Sequence, residues 1–219
     1  MNTNLTDITI ILDSSGSMQG LADDTIGGFN TFLKTQQEQP GHANISLVQF
    51  DSDVSVTYNA RNIQDAPELN NVSYRPEGYT ALLDAIGISI TSAGTRLAAM
   101  KEEDRPSKVI FVIMTDGDEN SSREYNSTQI HDMIKHQTET YQWDFIFIGA
   151  NQDAIKTGGN LGIGAGNSLN YQANANATKA LFGVVGDKMS SYRSATGSDK
   201  TAFASSMFND SDRAATIVK

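Results

Sequence analysis

The sequence contains no cysteine, which excludes disulfide bonds and thiolate metal sites and gives no sign of an oxidising compartment. Basic residues are also few, because 16 Lys and Arg stand against 26 Asp and Glu, for a formal net charge of -10. Phosphate binding needs a basic surface, so nucleic acid is not expected as the main partner. The acidic balance favours cation binding instead.

Long apolar runs are absent as well. No run approaches the length needed to cross a membrane, and the first residues lack the basic and apolar regions of a secretory signal. We therefore expect a cytoplasmic protein that does not bind membranes, in an oligomeric state that the sequence leaves open, a monomer included. Large apolar residues become rare after residue 193, so we divide the chain into a domain of residues 1–193 and a polar, loosely docked extension of residues 194–219.

Strand-like apolar runs alternate with helical patterns through most of the chain. Strands are predicted at residues 8–12, 45–50, 54–58, 107–114, 144–148 and 168–171, with amphipathic helices after the first, third, fourth and last. The short turn at residues 51–53 makes the second and third strands a hairpin, whose second strand lies at a sheet edge. This order predicts an α/β fold, a Rossmann-like, doubly wound, mostly parallel open sheet with one antiparallel edge strand and helices on both faces.

The end of the first strand has the composition of a metal-binding loop. Asp13-Ser14-Ser15-Gly16-Ser17 follows an apolar run, and in an extended turn Asp13, Ser15 and Ser17 point the same way. Turn formation is the ordinary explanation for each of these residues taken alone. Taken together, oxygen ligands of this kind suit Mg²⁺, Mn²⁺ or Ca²⁺ rather than zinc or copper.

Two later residues lie where they can join this loop. Asp116, in Thr115-Asp116-Gly117, follows a buried strand as Asp13 does. Thr80, in Gly78-Tyr79-Thr80-Ala81-Leu82, stands at the start of a predicted helix, where helix N-capping is its ordinary role. Ligands of open α/β sheets bind beyond the carboxyl ends of the strands, which is where these residues are expected.

Together these motifs resemble the von Willebrand factor A (VWA) domain with its metal-ion-dependent adhesion site, over about residues 5–193. The sequence of residues 25–30 and 82–87 is similar to that of the compact intracellular members of this family in bacteria and phages. The resemblance implies that Ser15 and Ser17 coordinate the ion directly and that Thr80 does so directly or through water. It implies that Asp13 and Asp116 act mainly through bridging waters.

The function that follows is a non-enzymatic protein-binding module that captures a Glu or Asp carboxylate of a partner through Mg²⁺ or Mn²⁺. Its contact surface is expected to include Tyr79, Asp118, Glu119 and the loop near Asn151. Asp118 and Glu119 leave three possibilities open: they tighten cation binding, they discourage an acidic partner, or they solvate the loop.

Other classes fit the sequence less well. A Mg²⁺-dependent phosphotransferase or phosphatase with Asp13 as nucleophile would carry a second aspartate where Ser15 stands. A serine hydrolase would need a Gly-x-Ser-x-Gly elbow, which the sequence lacks. The glycines of residues 158–166 match no nucleotide-binding pattern and are expected to form a flexible loop. A structural subunit of a phage or stress-response assembly is compatible with the binding module.

Overall fold

The computed structural model describes residues 1–150, 153–196 and 198–217. Six strands form one sheet in the order β3-β2-β1-β4-β5-β6. The strands are β1 (Asn2–Asp13), β2 (His42–Phe50), β3 (Val54–Asn62), β4 (Pro106–Thr115), β5 (Asp144–Ala150) and β6 (Ser168–Tyr171). The helices are α1 (Ala22–Gln37), α2 (Leu82–Ala98), α3 (Ser127–Tyr141), α4 (Ala154–Asn160), α5 (Ala175–Ser194), α6 (Ser198–Ser205) and α7 (Asp210–Ala215). Among the described residues, no helix combines the length and apolar character required to cross a membrane.

The strand directions confirm the predicted α/β class. β1 pairs in parallel with β2 and β4, β4 with β5, and β5 with β6, whereas β3 runs antiparallel to β2 at one edge. Helices α1 and α5 cover one face of the sheet, and α2, α3 and α4 cover the other. β1 and β4 therefore lie between two apolar layers, which explains the largely apolar runs at residues 8–12 and 109–114. A parallel pair of central strands also places their carboxyl ends side by side.

Gly28 of helix α1 packs against another helix. A β-carbon at Gly28 would overlap the ring of Phe182 in α5. Glycine in a helix costs about 1 kcal/mol relative to alanine, and here that cost is offset because the Phe182 ring is buried against the α1 backbone. The contact fixes the distance between the two helices on this face.

The glycines of residues 158–166 were expected to form a loop, and the structure corrects the first part of that interpretation. Gly158 and Gly159 lie within helix α4. Gly158 is buried, and a β-carbon there would collide with the Ser168 hydroxyl of β6. Close packing on β6 therefore requires glycine at this position, in spite of its low helix propensity.

The segment after α5 differs from the expected loosely docked tail, because it packs on the open edge of β6. The Arg213 guanidinium donates to the carbonyls of Ser168 and Ala165, both at 2.7 Å, and the Thr216 hydroxyl donates to the Asn170 carbonyl at 2.7 Å. Met207 beside them is buried. The physical reason is that an unpaired strand edge exposes carbonyls and N–H groups that need partners. The division of the chain at residue 193 stays a prediction.

Candidate metal centre

The predicted site lies where β1 and β4 end next to each other. Leu12 and Met114 are register partners in the parallel pair, so Asp13 and Thr115 follow side by side. Because side chains alternate along a strand, Asp13 shares the face of Ile11, which packs under α2. The chain then turns into a short 3₁₀ helix (Gly16–Leu21), whose first N–H donates to the Gly78 carbonyl at 3.1 Å. That bond brings the segment carrying Thr80 to the same end of the sheet.

The structure brings the hydroxyls and carboxylates together. The Ser15 and Ser17 hydroxyl oxygens lie 3.0 Å apart, and the Ser17 hydroxyl donates to Asp116 Oδ1 at 2.6 Å. Gly117 links this group to Thr80, since a β-carbon at Gly117 would lie 3.3 Å from Thr80 Oγ1 and 3.7 Å from Ser17 Oγ. The absence of a side chain at Gly117 thus leaves the space between these hydroxyls open.

Asp13 has no exposed surface, and both of its carboxylate oxygens accept hydrogen bonds. Oδ1 accepts from the Ser15 N–H at 2.7 Å, and Oδ2 accepts from the Thr115 hydroxyl at 2.5 Å. The buried Tyr74 hydroxyl also donates to the Asp13 carbonyl at 2.7 Å. Burial raises the pKa of the Asp13 carboxyl, and the bonds from Thr115 and Ser15 oppose that rise. Asp13 therefore orients the loop and contributes negative charge beneath it.

Asp116 is the more exposed of the two carboxylates. Burial raises its pKa, the hydrogen bond from Ser17 opposes the rise, and the nearby Asp13 adds to it. Asp13 and Asp116 are thus neighbouring carboxylates whose pKa values are both raised. Among the described residues, no basic side chain is hydrogen-bonded to either of them. A divalent cation would supply that charge and favour both ionised forms.

Thr80 does not cap helix α2, and this corrects the ordinary interpretation of that residue. The helix begins at Leu82, two residues later. Instead, the backbone of Thr80 is bonded twice to Asn120 of the β4–α3 loop, its N–H donating to Asn120 Oδ1 at 2.9 Å and its carbonyl accepting from the Asn120 N–H at 3.1 Å. These bonds leave the Thr80 side chain beside Gly117, at the site.

Glu119 has a structural role that the sequence did not reveal. Its carboxylate accepts hydrogen bonds from the N–H groups of Leu83, Ser121 and Ser122 and from the Ser122 hydroxyl, at 2.7–2.9 Å. Leu83 is in the first turn of α2, so Glu119 supplies the capping group that Thr80 was expected to supply. The sequence carries no local sign of a contact across 36 positions.

Asp84 completes this connection from the other side. It is buried in the first turn of α2, and its carboxylate accepts from the N–H groups of Arg123, Glu124 and Tyr125. Glu119 of the loop thus binds the helix, and Asp84 of the helix binds the loop. We call this pair of carboxylates the Glu119–Asp84 clasp. It holds the loop that positions Thr80.

The surface around the site carries the residues predicted to contact a partner. Tyr79 is 69% exposed beside Thr80, and Asp118 is exposed beside Gly117. The Glu119 carboxylate is turned toward α2 by its hydrogen bonds, so it does not belong to the surface that a partner would contact. The loop near Asn151 lies outside the described residues at its first two positions.

The residues that the structure brings together fit a hard divalent cation. Three hydroxyls and two carboxylates offer only oxygen, the donor type that Mg²⁺ and Mn²⁺ prefer. Neither at this site nor elsewhere does the described part of the chain contain a group of three His, Cys, Asp or Glu side chains placed to hold a metal. A site at this position therefore depends on the Ser15, Ser17 and Thr80 hydroxyls as much as on its carboxylates.

Residues 7–180 match the family model of the von Willebrand factor type A domain. The chain belongs to this family. The match confirms the family predicted from the motifs, and the sheet order confirms the VWA fold. The setting in bacteria or phages stays a prediction.

Solved structures of similar fold come from several sources. Proximal thread matrix protein 1 from the mussel byssus, also solved with zinc in its adhesion-site motif, is 19% identical, with a TM-score of 0.58, covering 83% of this chain and 47% of the other. The pilus adhesin SpaC from Lactobacillus rhamnosus GG is 16% identical, with a TM-score of 0.61, covering 85% and 30%. A VWA protein from Catenulispora acidiphila is 16% identical, with a TM-score of 0.52, covering 85% and 43%.

The chain thus spans less than half the length of these structural relatives. At such low identity the likeness shows the fold alone. In the comparison with curated proteins, no sequence matches the chain.

Proposed function

We propose that this domain is a non-enzymatic, metal-dependent protein-binding module that takes a Glu or Asp side chain of a partner at the site formed by Asp13, Ser15, Ser17, Thr80 and Asp116. The observation that carries the proposal is the convergence of three neutral hydroxyls and the Asp116 carboxylate at the adjoining ends of β1 and β4, with the Asp13 carboxylate buried beside them. A Mg²⁺ or Mn²⁺ ion bound there would offer a partly neutralised positive charge, which attracts an anionic oxygen.

Some residues of the site offer oxygen atoms to the ion, and others hold those residues in position. Ser15, Ser17 and Thr80 present hydroxyl oxygens toward the common point. Asp116 accepts from Ser17 and keeps that hydroxyl in place. Asp13, buried and hydrogen-bonded at both oxygens, sets the turn that aims the serines. The exposed ring of Tyr79 is a natural anchor for a partner, because aromatic side chains dominate binding energy at interfaces.

An aspartyl-phosphate enzyme is a weaker candidate for a geometric reason. A nucleophilic carboxylate needs a free oxygen that the substrate can approach. Asp13 has no exposed surface, and both its oxygens accept hydrogen bonds. We accordingly expect no turnover of phosphomonoesters or acyl esters. The cytoplasmic location also stays a prediction.

The test of the metal centre is calorimetric titration of Mn²⁺ and Mg²⁺ into metal-stripped protein. We expect saturable binding near one ion per chain, lost in the Ser15→Ala, Ser17→Ala double variant. Ser14→Ala is the matched control, because the Ser14 hydroxyl donates to the Phe50 carbonyl at 3.1 Å, away from the site. Loss of binding in the control would show that any change in this loop abolishes metal binding. The double variant would then be no evidence that Ser15 and Ser17 are ligands.

The test of the partner's chemistry uses a phage-displayed library of random peptides, selected against the immobilised native domain in Mn²⁺ and eluted with EDTA. We expect eluted peptides enriched in a Glu or Asp, and no such enrichment with the Ser15→Ala, Ser17→Ala variant. Equal recovery of peptides in Mn²⁺ and in EDTA would contradict metal-dependent capture.

A further inference from the structure

A small pocket opens beside the candidate metal centre, and nothing described so far uses it. Its volume is about 150 Å³, and it lies between the start of α2, the β4–α3 loop and helix α4. Leu82, Leu83 and Leu161 form its apolar walls. Leu82 and Leu161 are buried, and Leu83 is half-buried, so the walls are held by the domain's own packing.

The pocket and the metal centre share a boundary. Gly117 and Asp118 both line the pocket. A β-carbon at Gly117 would lie 3.3 Å from Thr80 Oγ1, so this single glycine separates the site's hydroxyls from the pocket. A segment of chain whose carboxylate lies at the hydroxyls is therefore within one or two residues of the pocket, because consecutive α-carbons are about 3.8 Å apart.

We infer that this pocket binds an apolar side chain of the partner protein, next to or two residues from the acidic residue at the metal centre. The inference rests on the proposed function and adds the partner's second contact. It assigns Leu83 and Asn160, which lines the pocket at the end of α4, to specificity.

Size and charge decide what the pocket accepts. A volume of about 150 Å³ holds a molecule as large as benzene, so the pocket has room for a side chain of the size of Leu, Met or Phe. Among the described residues that line it there is no Lys, Arg or His, while Asp118 and Glu119 are at its border. A second carboxylate in this position would be repelled. The partner motif is thus one acidic residue with an apolar neighbour, and a run of acidic residues is disfavoured.

The pocket is tested with the same phage-displayed library narrowed to peptides that carry one central Glu and random residues at the two positions on each side. Selection is done in Mn²⁺ against the native domain, Asn160→Trp and Ile155→Trp. Asn160→Trp places a large ring at the pocket rim. Ile155→Trp is the matched control, because Ile155 is exposed on the same helix and does not line the pocket.

We expect the native domain and Ile155→Trp to enrich Leu, Met or Phe at one fixed position, and Asn160→Trp to lose that preference while it still selects Glu. A soluble peptide with the enriched residue should bind about 10- to 100-fold more tightly than the same peptide with Ser, as expected for burial of one apolar side chain. Leu83→Ala, which widens the pocket, should shift the preference toward larger side chains.

Mn²⁺ calorimetry on each variant shows whether its metal centre is intact. The native domain could select Glu without a preference at the neighbouring positions, or Asn160→Trp and Leu83→Ala could leave that preference unchanged. Either result would contradict binding of an apolar side chain in the pocket and would leave the proposed function standing. Absence of Mn²⁺-dependent selection of Glu by the native domain would overturn both.

Discussion

Removal of the Asp84 carboxylate should loosen the candidate metal centre from a distance. Asp84 lies in α2, and its oxygens accept from Arg123 N–H at 2.7 Å and from the N–H groups of Glu124 and Tyr125 at 2.9 Å. In Asp84→Ala the loop loses these three bonds and keeps those made by Glu119 and by the Thr80 backbone. Because Asn120 of the same loop holds the Thr80 backbone, one of the site's hydroxyls is loosened as well.

The size of the effect follows from the bonds that water can replace. A hydrogen bond to a charged group contributes about 1.5–3 kcal/mol, so three of them set an upper bound of about 4.5–9 kcal/mol. Arg123 and Glu124 are exposed, and water can satisfy their N–H groups in the variant. We therefore expect a loss of about 2–4 kcal/mol in the free energy of unfolding, or roughly 4–16 °C in Tm for a chain of this length.

The assay is urea unfolding followed by fluorescence of Trp143, which is buried against Phe111, together with Mn²⁺ calorimetry. Asp84→Asn is the graded control, because its oxygen can keep the two bonds made by Oδ1 and lose the one made by Oδ2. It should lie between the native protein and Asp84→Ala in stability and in Mn²⁺ affinity. An Asp84→Ala protein within about 0.5 kcal/mol of the native one, with unchanged Mn²⁺ affinity, would refute the role of the clasp.

Three further predictions concern other parts of the molecule. Gly117→Ala places a β-carbon 3.3 Å from Thr80 Oγ1, and since overpacking costs about 1–3 kcal/mol we expect about tenfold weaker Mn²⁺ binding by calorimetry. Arg213→Ala removes two hydrogen bonds at the β6 edge, one of them to Ser168, so urea unfolding should show a loss of about 1–3 kcal/mol and light scattering more aggregation. Burial raises the pKa of Asp144, so its native form holds the proton more tightly than the unfolded chain does. As the pH falls from 7.5 through that raised pKa, the native protein should gain stability relative to Asp144→Asn in urea unfolding, and the gain is complete below the unfolded pKa of about 3.9.

Each of these has its own control. Gly20→Ala adds a β-carbon with no atom within 4 Å, so it should leave Mn²⁺ binding intact, and equal weakening in both variants would contradict the crowding argument. Arg213→Lys keeps the charge but lacks the fork that reaches two carbonyls, and full stability in that variant would argue against the paired bonds. Parallel stability curves for the native protein and Asp144→Asn between pH 7.5 and pH 4 would show that Asp144 does not hold its proton more tightly in the folded state.

Local pattern was enough to predict the sheet. Continuous apolar runs in β1 and β4 and the short turn before β3 identify buried parallel strands and an antiparallel edge, because strand periodicity and turn length are properties of neighbouring residues. The same kind of reasoning placed Asp13 and Asp116 at strand ends. It went wrong for Gly158, where packing on β6 holds glycine in a helix, and for the segment after α5, whose Arg213 and Thr216 side chains bind the carbonyls of a strand edge.

The sequence by itself determined the order of strands and helices and the residue types that meet at the carboxyl ends of β1 and β4, since the chain direction in a parallel sheet decides which ends adjoin. Only the tertiary structure decided how those residues are held. Glu119, rather than Thr80, stabilises the start of α2, and Gly117 keeps the space between the hydroxyls open. Contacts of this kind join positions far apart in the chain and depend on a few tenths of an ångström, and no periodicity in the sequence records them.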